Sequence, residues 1–93
     1  MSYRIFETEN FSKILKSFSL SGASKIREKL NDYVYPILRV EPCFGPNIKK
    51  LKGYEPPTWR YRIGDWRFFY EIDTKSKIVF MTVAFHRSEA YKR

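Results

Sequence analysis

Ninety-three residues allow one domain, spanning 1–93, with a single modest core. Apolar residues make up 43% and aromatics 18%, enough to pack a globule, so a disordered chain is not expected. Eighteen Lys and Arg against ten Asp and Glu leave a net charge of +8, which attracts polyanions: nucleic acid, an anionic membrane surface or an acidic protein. The single cysteine, Cys43, excludes an intramolecular disulfide and a cysteine-built zinc site, and suits a reducing cytoplasm. No apolar run approaches the roughly 18 residues of a membrane span. The opening Met1-Ser-Tyr-Arg-Ile-Phe-Glu is followed by no long apolar stretch, so a secretory signal is not expected.

In chain order, Ser2 to Glu7 alternates, with Tyr3 and Ile5 on one side and Arg4 and Phe6 on the other, as in a short strand. Phe11, Ile14, Leu15 and Phe18 then share one helical face, with Thr8 or Asn10 available as the cap. Ser19 to Gly22 interrupts this helix. A second helix begins near Ser21 to Ser24, and Ile26, Leu30, Tyr33, Val34, Ile37 and Leu38 keep the helical spacing. Pro36 falls inside this pattern. It lacks an amide proton and clashes one turn back, which predicts a helix ending near Tyr35 or resuming only briefly. The short connection predicts an antiparallel helix pair.

Glu41 to Pro57 is the least regular stretch, punctuated by Pro42, Gly45, Pro46, Gly53, Pro56 and Pro57. Within it, Ile48 and Leu51 can point inward while Lys49, Lys50 and Lys52 point outward. Three strand patterns follow: Thr58 to Ile63, Trp66 to Asp73 and Lys77 to Phe85. The order is strand, two helices, then a three-stranded antiparallel meander. It predicts an α+β fold: one sheet with the helices packed on one face.

Gly64-Asp65 suits a two-residue hairpin turn with positive φ at the glycine. That turn would pair Ile63 with Trp66, Arg62 with Arg67, Tyr61 with Phe68 and Arg60 with Phe69. Alternation then puts Trp59, Tyr61, Ile63, Trp66, Phe68, Tyr70 and Ile72 on one apolar side, against the helices. Arg60, Arg62, Arg67, Phe69 and Glu71 share the other side. Like charges placed opposite each other in a sheet cost stability. An anion gripped between the guanidinium groups would offset that cost, and phosphate is the ligand they match bidentately. The competing explanation is a solvated face whose arginines splay apart or pair with Glu71. Phe69 among the arginines suits base stacking. His86, the single histidine, adjoins Arg87 at the end of the last strand, and imidazole is a side chain suited to proton transfer. A lone histidine is more often structural than catalytic. Tyr91 near the terminus either stacks on a ligand or covers the sheet edge.

Three segments together carry a resemblance: Leu51-Lys-Gly, then Tyr61-Arg-Ile-Gly-Asp-Trp-Arg-Phe-Phe-Tyr-Glu-Ile, then His86-Arg-Ser-Glu-Ala-Tyr91. In this order and spacing they resemble the RelE/ParE toxin superfamily, and the resemblance covers almost the whole chain. It implies a RelE-like fold and the toxin of a toxin–antitoxin pair. RelE-type members cleave messenger RNA in the ribosomal decoding site without metal or other cofactor. ParE-type members share the fold but inhibit DNA gyrase. By the resemblance, Arg60 and Arg62 match the basic residues of the family's second strand. Arg67 matches the arginine that contacts the scissile phosphate, Arg87 the one assigned to the leaving group, and Tyr91 the aromatic that stacks on the substrate base. Lys49, Lys50, Lys52 and Phe69 would add to substrate binding.

The implied reaction is attack of the RNA 2′-hydroxyl on its own 3′ phosphate. Preorganised arginines can hold the added charge. Some relatives carry lysines where this chain has Arg60 and Arg62, and an arginine cannot act as a base. The proton acceptor is therefore expected at His86, with Glu71 or Lys52 behind it. The expected partners are a cognate antitoxin protein and mRNA on the ribosome, with no membrane. A homodimer and a toxin–antitoxin hetero-oligomer both remain open. Two other readings stay beside this one: a gyrase-inhibiting toxin without nuclease activity, and a non-catalytic module that binds RNA or an acidic partner.

Overall fold

The computed structural model describes residues 2–18 and 23–87, with the side chains at 23 and 24 excepted. The chain runs β1 (Arg4–Glu7), α1 (Glu9–Ser17), α2 (Ala23–Lys29), a π-helical segment (Leu30–Val34), α3 (Tyr35–Val40), β2 (Ile48–Lys50), β3 (Trp59–Ile63), β4 (Trp66–Asp73) and β5 (Ile78–His86). The five strands form one sheet in the order β1-β5-β4-β3-β2. The meander β3-β4-β5 is antiparallel, and β1 joins it parallel to β5. The α+β architecture expected from the sequence is present, enlarged by one strand.

Thr8 starts α1. Its hydroxyl accepts the Phe11 N–H at 3.2 Å, satisfying a donor the helix cannot. The same hydroxyl donates to the Met81 carbonyl at 2.8 Å, which ties the helix start to β5. Asn10, the other candidate cap, instead donates to the Thr82 carbonyl at 2.9 Å. Phe11 and Leu15 are buried, and Phe18 meets Trp66 edge to face, with ring centroids 4.9 Å apart.

Of the two courses expected at Pro36, the second helical run takes the brief resumption: it continues through Pro36 and ends at Val40. The turn before the proline widens, and the Tyr35 N–H reaches back five residues to the Leu30 carbonyl. Pro36 then enters the first turn of α3, where a missing amide proton costs least. The extra residue in that turn shifts the inward stripe to Ile26, Leu30, Val34, Tyr35 and Leu38. Tyr33 and Ile37, which fit an unbroken 3.6-residue period, are therefore turned outward and exposed.

The hairpin has the register expected: Ile63 with Trp66, Arg62 with Arg67, Tyr61 with Phe68 and Arg60 with Phe69. Gly64 carries the positive φ, +56°, that the tight turn requires. Tyr61, Phe68 and Tyr70 are buried against the helices, with Trp59, Ile63, Trp66 and Ile72 packed around them. The Tyr70 hydroxyl donates to the Pro42 carbonyl at 2.7 Å, pinning the segment after α3 to the sheet centre.

Candidate nucleic-acid interface

The side of the sheet away from the helices carries the charge. Arg62 and Arg67 are directly opposed in the β3–β4 ladder. One row along, Arg60 stands between Phe69 on β4 and Lys49 on β2. Strand β2 lies in the stretch read as irregular. Two of its three residues are lysines, which have weak strand character, and pairing with β3 sets their conformation. That pairing adds a second like-charge pair, Lys49 with Arg60, to the one expected from the hairpin.

The consequence falls on Arg60. Burial first, then the charges of Arg67 and Arg62, lower its pKa from the ordinary value. Its Nε is buried and has no hydrogen-bond partner, the one such side-chain atom among the described residues. A buried donor without an acceptor costs about 1–3 kcal/mol. Arg67 is partly satisfied: its Nη1 donates to the carbonyls of Gly64 at 3.3 Å and Trp66 at 3.2 Å. A guanidinium has five N–H donors, so others remain for a ligand. The cluster therefore combines uncompensated positive charge with unused donors, the pairing an anion would relieve.

The β-bulge between β4 and β5 decides what else shares this face. Tyr70 pairs with Met81 but Phe69 pairs with Val83, leaving Thr82 as the extra residue. Thr82 donates its hydroxyl to the Phe69 carbonyl at 3.3 Å. One extra residue reverses the alternation for the rest of the strand. Ala84 and His86 consequently lie on the helix side, while Val83 and Phe85 join the arginines. Phe85 meets Phe69 edge to face at 5.2 Å, and Tyr54, from the segment before β3, meets Phe69 from the other side at 6.0 Å. Neither Phe85 nor Tyr54 was singled out from the sequence. A strict period of two would put Phe85 with Val79 and Met81 on the helix side, and Tyr54 lies among turn residues.

The expected site residues are thus divided. Lys49, Arg60, Arg62, Arg67, Phe69 and Glu71 share one face. Lys50, opposite Trp59, turns to the helix side of the edge, with its Nζ 5.8 Å from the Trp59 ring centroid. Lys52 is exposed in the turn after β2. His86 packs against Trp66, ring centroids 5.0 Å apart, on the side opposite the arginines, with its Nε2 4.0 Å from an Asp65 carboxylate oxygen. Arg87 follows at the strand end. Its backbone N–H donates to the Asp65 carbonyl at 2.6 Å, and its Nη1 lies 3.8 Å from Asp65 Oδ1. The hairpin turn thus anchors the end of β5. Tyr91 lies outside the described residues. Among those residues, no group of three His, Cys, Asp or Glu could hold a metal ion, and no helix is long and apolar enough to cross a membrane.

The fold has close counterparts among solved structures. A toxin–antitoxin complex, RelBE2 of Mycobacterium tuberculosis, matches at 22% identity and a TM-score of 0.72, covering 94% of this chain and 100% of that one. The archaeal RelE–RelB complex of Pyrococcus horikoshii matches at 26% identity and a TM-score of 0.64, covering 94% and 97%. An E. coli RelE toxin mutant in complex with a RelB antitoxin peptide matches at 25% identity and a TM-score of 0.67, covering 99% and 93%. The search of curated proteins found no match in sequence. The family model for the ParE toxin of type II toxin–antitoxin systems matches residues 8–91. The chain accordingly belongs to the ParE/RelE toxin family, as a type II toxin with a RelE-like fold.

Proposed function

We propose that this toxin is an endoribonuclease that cuts mRNA on the ribosome. The observation that carries this reading is the opposed pair Arg62 and Arg67 beside Arg60, whose Nε is buried and unpartnered. A scissile phosphate seated there would neutralise the repulsion in the ground state. It would gain more in the transition state, when the 2′-oxygen has attacked and the phosphorane carries additional negative charge. Arg60, Arg62 and Arg67 bind and stabilise that charge, with Lys49 at the rim. Arg87 is assigned to the departing 5′-oxygen and Tyr91 to stacking on the substrate base. The chemistry needs no metal. Arginine does not give up its proton, so the base is another group. A cognate antitoxin is the proposed partner, in keeping with the relatives solved as RelE–RelB complexes.

The test is induced expression followed by sequencing of mRNA 5′ ends. Cuts within codons are expected, and Arg67→Ala and Arg87→Ala should each abolish them. Normal cleavage by both variants would overturn the assignment. The match to the ParE family description favours a second reading, gyrase inhibition without cleavage. That reading predicts DNA damage on expression with intact mRNA.

A further inference from the structure

The basic face contains an aromatic row that phosphate binding does not require. Tyr54, Phe69 and Phe85 run across it in successive edge-to-face contacts of 6.0 and 5.2 Å. Each ring of the row beyond Tyr54 has an arginine opposite it in the β4 ladders: Arg60 faces Phe69 and Arg67 faces Phe85. The helices cover the other side of the sheet, so these rings are not part of that core.

Tyr54 is placed by a constrained segment. The Leu51 N–H donates to the Thr58 carbonyl at 2.9 Å, closing the loop at its base. The buried Thr58 donates its hydroxyl to the Pro56 carbonyl at 3.0 Å, and Pro56 and Pro57 restrict the chain between. The loop holds Tyr54 against Phe69 while leaving it 48% exposed. Tyr54 is exposed while Phe69 and Phe85 are half-buried, and aromatic rings reachable from solvent beside arginines form a platform on which unpaired bases stack while their phosphates are gripped.

We infer that Tyr54 is a base-contacting residue. It extends the RNA footprint from the Arg62–Arg67 phosphate site across Phe69 to the loop before β3, so that the face takes a single-stranded segment with bases on the Tyr54–Phe69–Phe85 row. This rests on the RNA-binding part of the proposed function and adds a residue to it.

The test uses the full chain and two fluorescein-labelled probes, read by fluorescence anisotropy. One is a 2′-O-methyl RNA hexamer, which cannot be cleaved by 2′-hydroxyl attack. The other is an abasic hexamer with the same number of phosphates. The wild type should prefer the base-bearing probe by about fivefold or more. Tyr54→Ala should remove most of that preference and leave the abasic affinity within about twofold, since it changes no charge. Tyr54→Phe should restore the preference, and Arg62→Ala should weaken both probes. Equal losses on both probes with Tyr54→Ala, or no loss at all, overturn the inference. Equal wild-type affinity for the two probes also overturns it while leaving phosphate binding intact. That is the result expected if an acidic protein segment, and not RNA, covers the row. A base preference that depends on Tyr54, found together with intact cellular mRNA, would sustain the inference and sink the nuclease.

Discussion

Arg62 on β3 stands directly opposite Arg67 on β4, and one row away Arg60 is opposed by Lys49 on β2. Cross-strand like charges destabilise a sheet, and a sheet selected for stability alone would place a threonine or glutamate in one of these positions. Arg62→Thr should therefore raise the unfolding midpoint in urea, by about 0.5 kcal/mol of stability. The same variant should bind single-stranded RNA more weakly, with the slope of log affinity against log salt reduced by about one. A variant that is both less stable and equally tight would mean the pair has no ligand.

Under the proposed cleavage, the two candidate proton acceptors are separated by face. Glu71 lies two residues beyond Phe69 on β4, on the arginine side, while His86 packs against Trp66 on the other. Glu71→Gln is expected to slow cleavage by about a hundredfold or more, the usual contribution of a positioned base. His86→Gln should keep most of the cleavage rate and change the melting temperature instead. Single-turnover cleavage on programmed ribosomes reads both, and the reverse pattern would return the role to His86.

Acid sensitivity should come from Glu7. Its carboxylate accepts two hydrogen bonds from Arg27, at 2.5 and 3.2 Å, and one from the Tyr35 hydroxyl at 2.5 Å. Burial alone would raise its pKa, but the bonds from Arg27 and Tyr35 outweigh this and hold it below the usual value. A depressed carboxylate contributes stability above its unfolded pKa of about 4.3 and loses it as pH falls through the lower folded value. Glu7→Gln should cost about 1 kcal/mol at pH 7, since Arg27 is well exposed and the ion pair is screened. Wild type and variant should converge only as the pH falls through that lower folded value, where Glu7 itself becomes neutral. Denaturant titrations at stepped pH measure this, and a constant gap down to pH about 2 would refute it.

Tyr70 should be among the costliest single-atom deletions. Its ring is fully buried and its hydroxyl reaches the Pro42 carbonyl at 2.7 Å. Tyr70→Phe leaves that carbonyl buried without a donor, which costs about 1–3 kcal/mol. Chemical denaturation should show a lowered midpoint at unchanged slope, because the change leaves the overall burial on folding intact.

Much of the arginine face was legible without coordinates. Gly64 is free to take positive φ, so a two-residue turn there sets the β3–β4 register, and a period of two then sorts Arg60, Arg62, Arg67 and Phe69 from Trp59, Tyr61, Phe68 and Tyr70. Local chemistry and periodicity suffice for a hairpin because its partners are adjacent in the chain. Three features depended on contacts between distant segments. Pairing with β3 made a strand of Ile48–Lys50 and turned Lys49 and Lys50 to opposite sides. The widened turn before Pro36 moved Tyr33 and Ile37 out of the core stripe. The extra residue at Thr82 sent His86 to the helix side and Phe85 to the arginines, because a bulge is set by how two strands fit and reverses every side chain beyond it. Residue type and local alternation alone gather Arg60, Arg62 and Arg67 on one face of the hairpin; contacts between distant segments set which aromatic rings join them and on which side the histidine falls.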